Sequence, residues 1–188
     1  MKTTVLSRFL MAAILFGAGI AGASSKDKPN VPQSDADIIK NVRHEIVMYP
    51  FYTIWDDVSF RVNNGQVELM GAVNQPFKKS DIQHIVQKVP GVTSVTDEVK
   101  VLPLSNFDDR LRLQVARAIY SYPNFSRYAI QPLKPIHIIV DNGHITLTGV
   151  VSTEADKQLA GIRASSVGLS FGPVVNNLEV EHPSPKKS

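Results

Sequence analysis

The sequence predicts an α+β protein of two tandem α-β-β-α-β domains, each a three-stranded mixed sheet covered by two helices. Three observations predict it. One pattern of residues occurs twice, each occurrence passes from helical to strand periodicity in the same order, and glycine-bearing turns fall at matching places.

The duplication shows position by position. Val42, Ile46, Tyr49 and Pro50 match Val115, Ile119, Tyr122 and Pro123 at an offset of 73. The run Asn64-Gly65-Gln66-Val67-Glu68-Leu69-Met70-Gly71 matches Asn142-Gly143-His144-Ile145-Thr146-Leu147-Thr148-Gly149 at an offset of 78, and Val95, Val99 and Val101 match Val174, Leu178 and Val180 at 79. The second copy therefore carries five extra residues after its Tyr-Pro pair and one more before its last strand, where loops are expected.

In the first copy, Ile38, Ile39, Val42, Ile46 and Val47 recur at helical spacing behind Ser34 and Asp35 as cap candidates. Tyr49-Pro50 ends that helix, because a residue before proline avoids the α region. Val58, Phe60 and Val62 alternate, Asn63-Asn64-Gly65 turns the chain, and Val67, Leu69 and Val73 continue the alternation: a hairpin. Pro76 opens a second helix striped by Ile82, Ile85, Val86 and Val89, Pro90-Gly91 stops it, and Val95, Val99 and Val101 form the third strand. The second copy repeats the order. Leu111, Val115, Ala118 and Ile119 line its first helix, and Ile136, Ile138 and Val140 turn at Asp141-Asn142-Gly143 into Ile145, Leu147 and Val151. Ser152 or Thr153 caps a helix carrying Ala155, Leu159 and Ile162; Gly168 to Pro173 breaks it, and Val174, Leu178 and Val180 close the unit. A strand-helix-strand crossover makes the third strand of each sheet parallel to the second. Domains of this size have modest cores, so packing of one copy on the other is expected to help.

The ends carry other signals. Lys2 and Arg8 precede an apolar run from Phe9 to Ile20, then Ala21-Gly22-Ala23, so residues 1–23 are expected to be a secretory signal peptide. Residues 24–34 and 182–188 are expected to be a flexible leader and tail around domains at 35–102 and 109–181. Lys2 and Arg8 leave with the leader, so 20 Lys and Arg become 18 against 17 Asp and Glu. That near-neutral balance speaks against a nucleic-acid partner. The chain has no cysteine, which excludes disulfides, zinc-thiolate sites and thiol catalysis. The leader is expected to export the chain, and no second apolar run is long enough to cross a bilayer.

The signature N-G-x-V/I-x-L-x-G, then a helix, then V-x-x-x-V/L-x-V, resembles the BON domain in both copies. Glu68 and Met70 stand where that family commonly has Thr, and the second copy lacks a clean Gly-Val before its last strand. The resemblance implies a periplasmic protein without catalytic residues, attached to phospholipid surfaces or envelope partners under stress.

Candidate site residues are few. No hydrolase, P-loop, zinc-protease or dinucleotide motif is present, so no enzyme activity, metal or cofactor is expected. Asp56-Asp57 and Asp108-Asp109 suit capping and turns, and His137 is expected to face solvent. Lys78-Lys79 is expected to be a solvated pair. The segment after each first helix is aromatic: Phe51, Ile54 and Phe125 are expected to fold onto the core, while Tyr52, Trp55 and Tyr128 present polar-tipped rings outward. Arg127, with Lys134 and Lys157, could attract anionic lipid. Tyr52, Trp55, Arg127 and Tyr128 are therefore the candidate contacts for an anionic phospholipid surface or an envelope protein. Gly65 and Gly143 are expected to supply hairpin turns, and Gly71 and Gly149 a bulge or close backbone approach. The expected function is weak binding to phospholipid surfaces or envelope components, or alternatively a protein-binding, chaperone-like role through unpaired sheet edges.

Overall fold

A computed structural model describes residues 34–181. The expected signal peptide, the leader up to residue 33 and the tail lie outside the described residues. The first copy runs α1 (Asp35–Met48), β1 (Asp57–Asn63), β2 (Gln66–Val73), α2 (Pro76–Gln87), β3 (Ser94–Asp97) and β4 (Lys100–Val101). The second runs α3 (Asn106–Tyr120), a 3-10 turn (Pro123–Phe125), α4 (Ser126–Ala129), β5 (Ile136–Asp141), β6 (His144–Val151), α5 (Glu154–Ser165), β7 (Val175–Asn176) and β8 (Glu179–Val180).

Local chemistry explains the boundaries. Ser34 caps α1, its side chain accepting from Asp37 N at 3.2 Å, and Tyr49 is already extended before Pro50. Pro76 occupies the first turn of α2, and Thr153 caps α5. Asn64-Gly65 and Asn142-Gly143 hold positive φ at both positions of two-residue hairpin loops, the type I′ geometry that matches strand twist.

In each sheet the central strand pairs antiparallel with the strand before it and parallel with the two short strands after the second helix. The expected single third strand is two short segments, for a reason common to both copies. The Asp97 carboxylate accepts from Val99 N at 3.0 Å, and the Asn176 amide oxygen accepts from Leu178 N at 3.3 Å. Each side chain takes a backbone N–H out of the ladder, as Asx turns do, and rolls Val99 and Leu178 into their cores.

Two clusters fill the space between helices and sheets. Ile38, Val42 and Ile46 of α1 meet Val67, Leu69 and Val73 of β2 and Ile82 and Val86 of α2. Leu111, Val115 and Ile119 of α3 meet Ile138, Ile145 and Leu147 beneath α5. The buried face of α5 differs from the expected one. Ile162 is 65% exposed and Ala155 is exposed, while Asp156, Ala160 and Ala164 face inward at i, i+4 and i+8. Small residues let this helix lie close to the core, and Gly161 continues the fit: a Cβ there would stand 2.9 Å from Asn176 Nδ2.

Candidate inter-domain binding cleft

The aromatic loop of the first copy, between α1 and β1, faces the second copy. Ile54 O accepts from Ile138 N of β5 at 2.7 Å, as an added strand would. His137 Nδ1 lies 2.5 Å from Asp56 O. A carbonyl can only accept, so Nδ1 carries the proton in this contact. His137 is thus half-buried at the junction instead of facing solvent, with the Tyr52 ring centroid 5.6 Å from its own. Ile54 and Trp55 pack against the second copy's core, and Lys100 forms an ion pair with Asp141 across the same boundary.

The candidate residues therefore separate. Tyr52 and Trp55 are half-buried between the copies, and Arg127 is exposed. Tyr128 is not at the surface: it is 3% exposed and packs beside Phe125 in the core. Its hydroxyl donates to Asp156 at 2.9 Å and accepts from Ser152 N at 2.8 Å, so the polar tip is satisfied inside. Arg127 stacks its guanidinium 4.9 Å from the Tyr128 ring centroid and pairs with Asp156. Phe51 goes the other way. It is 57% exposed and makes edge contacts at 5.7 Å with Tyr49 and Phe77.

Lys78 also departs from expectation. It is buried, its ammonium 2.6 Å from Asp56, whose carboxylate also accepts from Thr53 N at 2.9 Å and Asn74 N at 3.0 Å. Lys79 reaches back to Val99 O at 2.7 Å. Asn74 and Ser152 are equivalent positions, as are Lys78 and Asp156, so both copies clasp loop to helix with the charges exchanged. One sequence signal could have found Lys78: it lies at i−4 and i−8 from Ile82 and Val86, on the buried stripe of α2. A second tie was also missed. Asp35 accepts from the turn amides of Asn64 and Gly65 at 2.8 and 2.9 Å, and Asp108 from those of Asn142 and Gly143 at 2.9 and 2.8 Å.

Between the copies lies an open cleft of about 820 Å³. Val47 of α1 and Tyr52, Thr53 and Ile54 form one wall; Leu113, Ala116, Arg117 and Tyr120 of α3 form another. The third is Pro132 to Pro135, within the insertion that distinguishes the second copy, so that insertion builds a wall instead of an idle loop. Most polar wall atoms are engaged internally. The Tyr120 hydroxyl donates to Ile136 O at 2.6 Å and accepts from its N–H at 3.1 Å, Tyr52 Oη accepts from Val58 N at 3.3 Å, and Thr53 Oγ1 donates to Asp56 at 2.8 Å. Burial pushes the Tyr52 hydroxyl up to about 12, and burial raises Tyr120 further, so both stay neutral. Among the described residues, Arg117 and Lys134 line the cleft with no acidic partner, and no carboxylate lines it.

Comparison with known families matches the BON domain at residues 34–103 and again at 108–182. The chain belongs to the BON-domain family. BON domains are phospholipid- and envelope-binding modules, in general non-catalytic. No curated protein matches the chain. Several solved structures are similar, among them two of one protein. One is of CdsD, a structural protein of the type III secretion system of Chlamydia trachomatis, at 24% identity and a TM-score of 0.30, covering 77% of this chain and 61% of that one. The other, of the CdsD C-terminal domain, has 23% identity and a TM-score of 0.30, covering 79% of this chain and 67% of that one. The BON chain thus spans about three fifths of the first, and nothing about function follows from likenesses at this level. Among the described residues of the BON tandem, no helix is long and apolar enough to cross a membrane, and no group of three His, Cys, Asp or Glu could hold a metal.

Proposed function

We propose that this tandem BON protein is a non-catalytic module of the periplasm, exported by the leader expected at residues 1–23, that associates reversibly with anionic phospholipid. The carrying observation is the inter-domain cleft, apolar inside, bordered by Arg117 and Lys134 and lined by no carboxylate. Each cation near an anionic surface contributes about 1 kcal/mol, so these two support weak, salt-sensitive attachment. Exposed Arg127 adds little, since Asp156 already neutralises it. Of the aromatics, Phe51 and Phe77 are free to meet a surface, whereas Trp55 is engaged at the second core. A role in protecting the envelope under stress fits such a module.

The test is flotation of the chain from residue 24 with vesicles of phosphatidylglycerol or phosphatidylcholine at low and high salt. Binding to phosphatidylglycerol that weakens with salt is expected. Absence of binding at either salt would remove the lipid reading. A second reading has its own observation. Among the described residues, the outer edge of β1 has no strand neighbour, and a groove beside it is lined by Ile39, Arg43, Val47 and Phe60. That edge suits an extended segment of an envelope protein. Cross-linking in envelope extract that captures a partner lost on a Phe60→Pro change would favour it.

A further inference from the structure

We infer that the cleft between the two BON domains takes up one anionic amphiphile as a monomer, its single acyl chain along the apolar walls and its phosphate or carboxylate at Arg117 and Lys134. The inference rests on the lipid reading for its ligand class, but it specifies an internal site where that reading requires only a surface.

Volume, wall chemistry and charge carry it. A cleft of about 820 Å³ falls within the roughly 300–1,000 Å³ typical of small-molecule sites, and it lies where two domains meet, a common position for them. Leu113 and Leu133 line it while each remains about half exposed (50% and 51%), so apolar surface there is left for a ligand to cover. Pro132 and Pro135 fix backbone angles in the wall that presents Leu133 and Lys134, which lowers the ordering cost of binding.

The same walls disfavour other ligands. A peptide strand would need free backbone groups, but at β5 the Ile138 N–H is held by Ile54 O, and Ile136 by Tyr120. A polar ligand such as a nucleotide would need several open hydroxyls, but those of Thr53 and Tyr120 donate within the protein and Tyr52 Oη already accepts from Val58 N. A neutral apolar ligand would leave two cations unused. The complementary ligand is an apolar tail with one negative head. A fatty acid or a lysophospholipid could supply it, since both share that chemistry.

The test titrates the chain with dodecanoate, with 12:0 lysophosphatidylglycerol and with uncharged monolaurin, each below its aggregation concentration. Calorimetry is the readout, with fluorescence of Trp55, the single tryptophan, as a second. Saturable 1:1 uptake of at least one anionic probe is expected, with monolaurin at least tenfold weaker. Whether the carboxylate or the phosphate probe prevails assigns the head group. Arg117→Glu with Lys134→Glu should weaken uptake at least tenfold, and Ala116→Phe, which fills the wall, should do so without changing the charge. The charge variant lies outside the core, and an unchanged thermal midpoint verifies its fold. No saturable uptake of either anion, or uptake unchanged in both variants, overturns the inference. Vesicle binding without monomer uptake sinks the cleft and spares the surface reading; monomer uptake without vesicle binding upholds the cleft and sinks the surface reading.

Discussion

Asp156 shows how one carboxylate joins a loop to a helix. Burial opposes its ionisation, but hydrogen bonds from Thr153 and Tyr128 and the Arg127 charge outweigh it and hold the carboxyl below its ordinary value. A depressed folded value means that the stability it contributes is present above the unfolded value, about 3.9, and is lost as pH falls through the folded one. Asp156→Asn is therefore expected to cost about 1.5–3 kcal/mol at pH 7, the range for hydrogen bonds to a charged group. Urea unfolding at pH 7 and at pH 2 should show the gap to the parent shrinking in acid; an equal gap at both would refute this. Such residues were hard to read from sequence. Lys78 and Asp156 are charged, and charge argues for solvent unless a partner is visible. Tyr128 carries a polar tip that argues for a surface, yet its partners, Asp156 and Ser152 N, are 28 and 24 residues away.

At the scale of elements, most of the fold was legible, because caps, prolines and Asn-Gly turns act locally. Ser34, Pro76, Thr153 and the two hairpins stand where those residues predict. The stripe of α5 was not legible, since Ala160 and Ala164 are weak hydrophobic markers and Ile162 is a strong one on the wrong face. The break in each third strand was missed because it depends on side chains, Asp97 and Asn176, capturing amides two residues on. Gly71 and Gly149 bring the hairpin strands together at φ +105° and +106°, where a Cβ would meet Asp57 O at 2.0 Å and Pro135 O at 1.9 Å. Both obstacles are backbone, which cannot rotate away. Gly71→Ala is expected to destabilise the first domain by about 2 kcal/mol or more, from strain at positive φ plus the clash. Thermal unfolding measures it, and a loss under about 0.5 kcal/mol, the ordinary size of a surface change, would count against the close approach.

At the scale of the molecule, the two domains share a seam. Which surface the loop at 51–56 would meet was beyond any local pattern, since its partners Ile138 and His137 lie more than 80 residues on. Ile54→Ala, a change in the first domain, should loosen the second: about 1–2 kcal/mol, below the roughly 2–5 kcal/mol for a fully buried isoleucine because Ile54 is only half-buried. Hydrogen exchange should quicken in β5 more than in β1; the reverse order would show that Ile54 serves its own domain. The exchanged charges of the two clasps bear on how a duplicated chain avoids miswiring. Tandem repeats are prone to cross-assembly, in which a helix from one unit seats on its sibling. Here α5 seated on the first loop would set Asp156 against Asp56, and α2 seated on the second would set Lys78 against Arg127. Each hybrid sets like charges against each other, so the swapped polarity acts as a key that favours the native pairing.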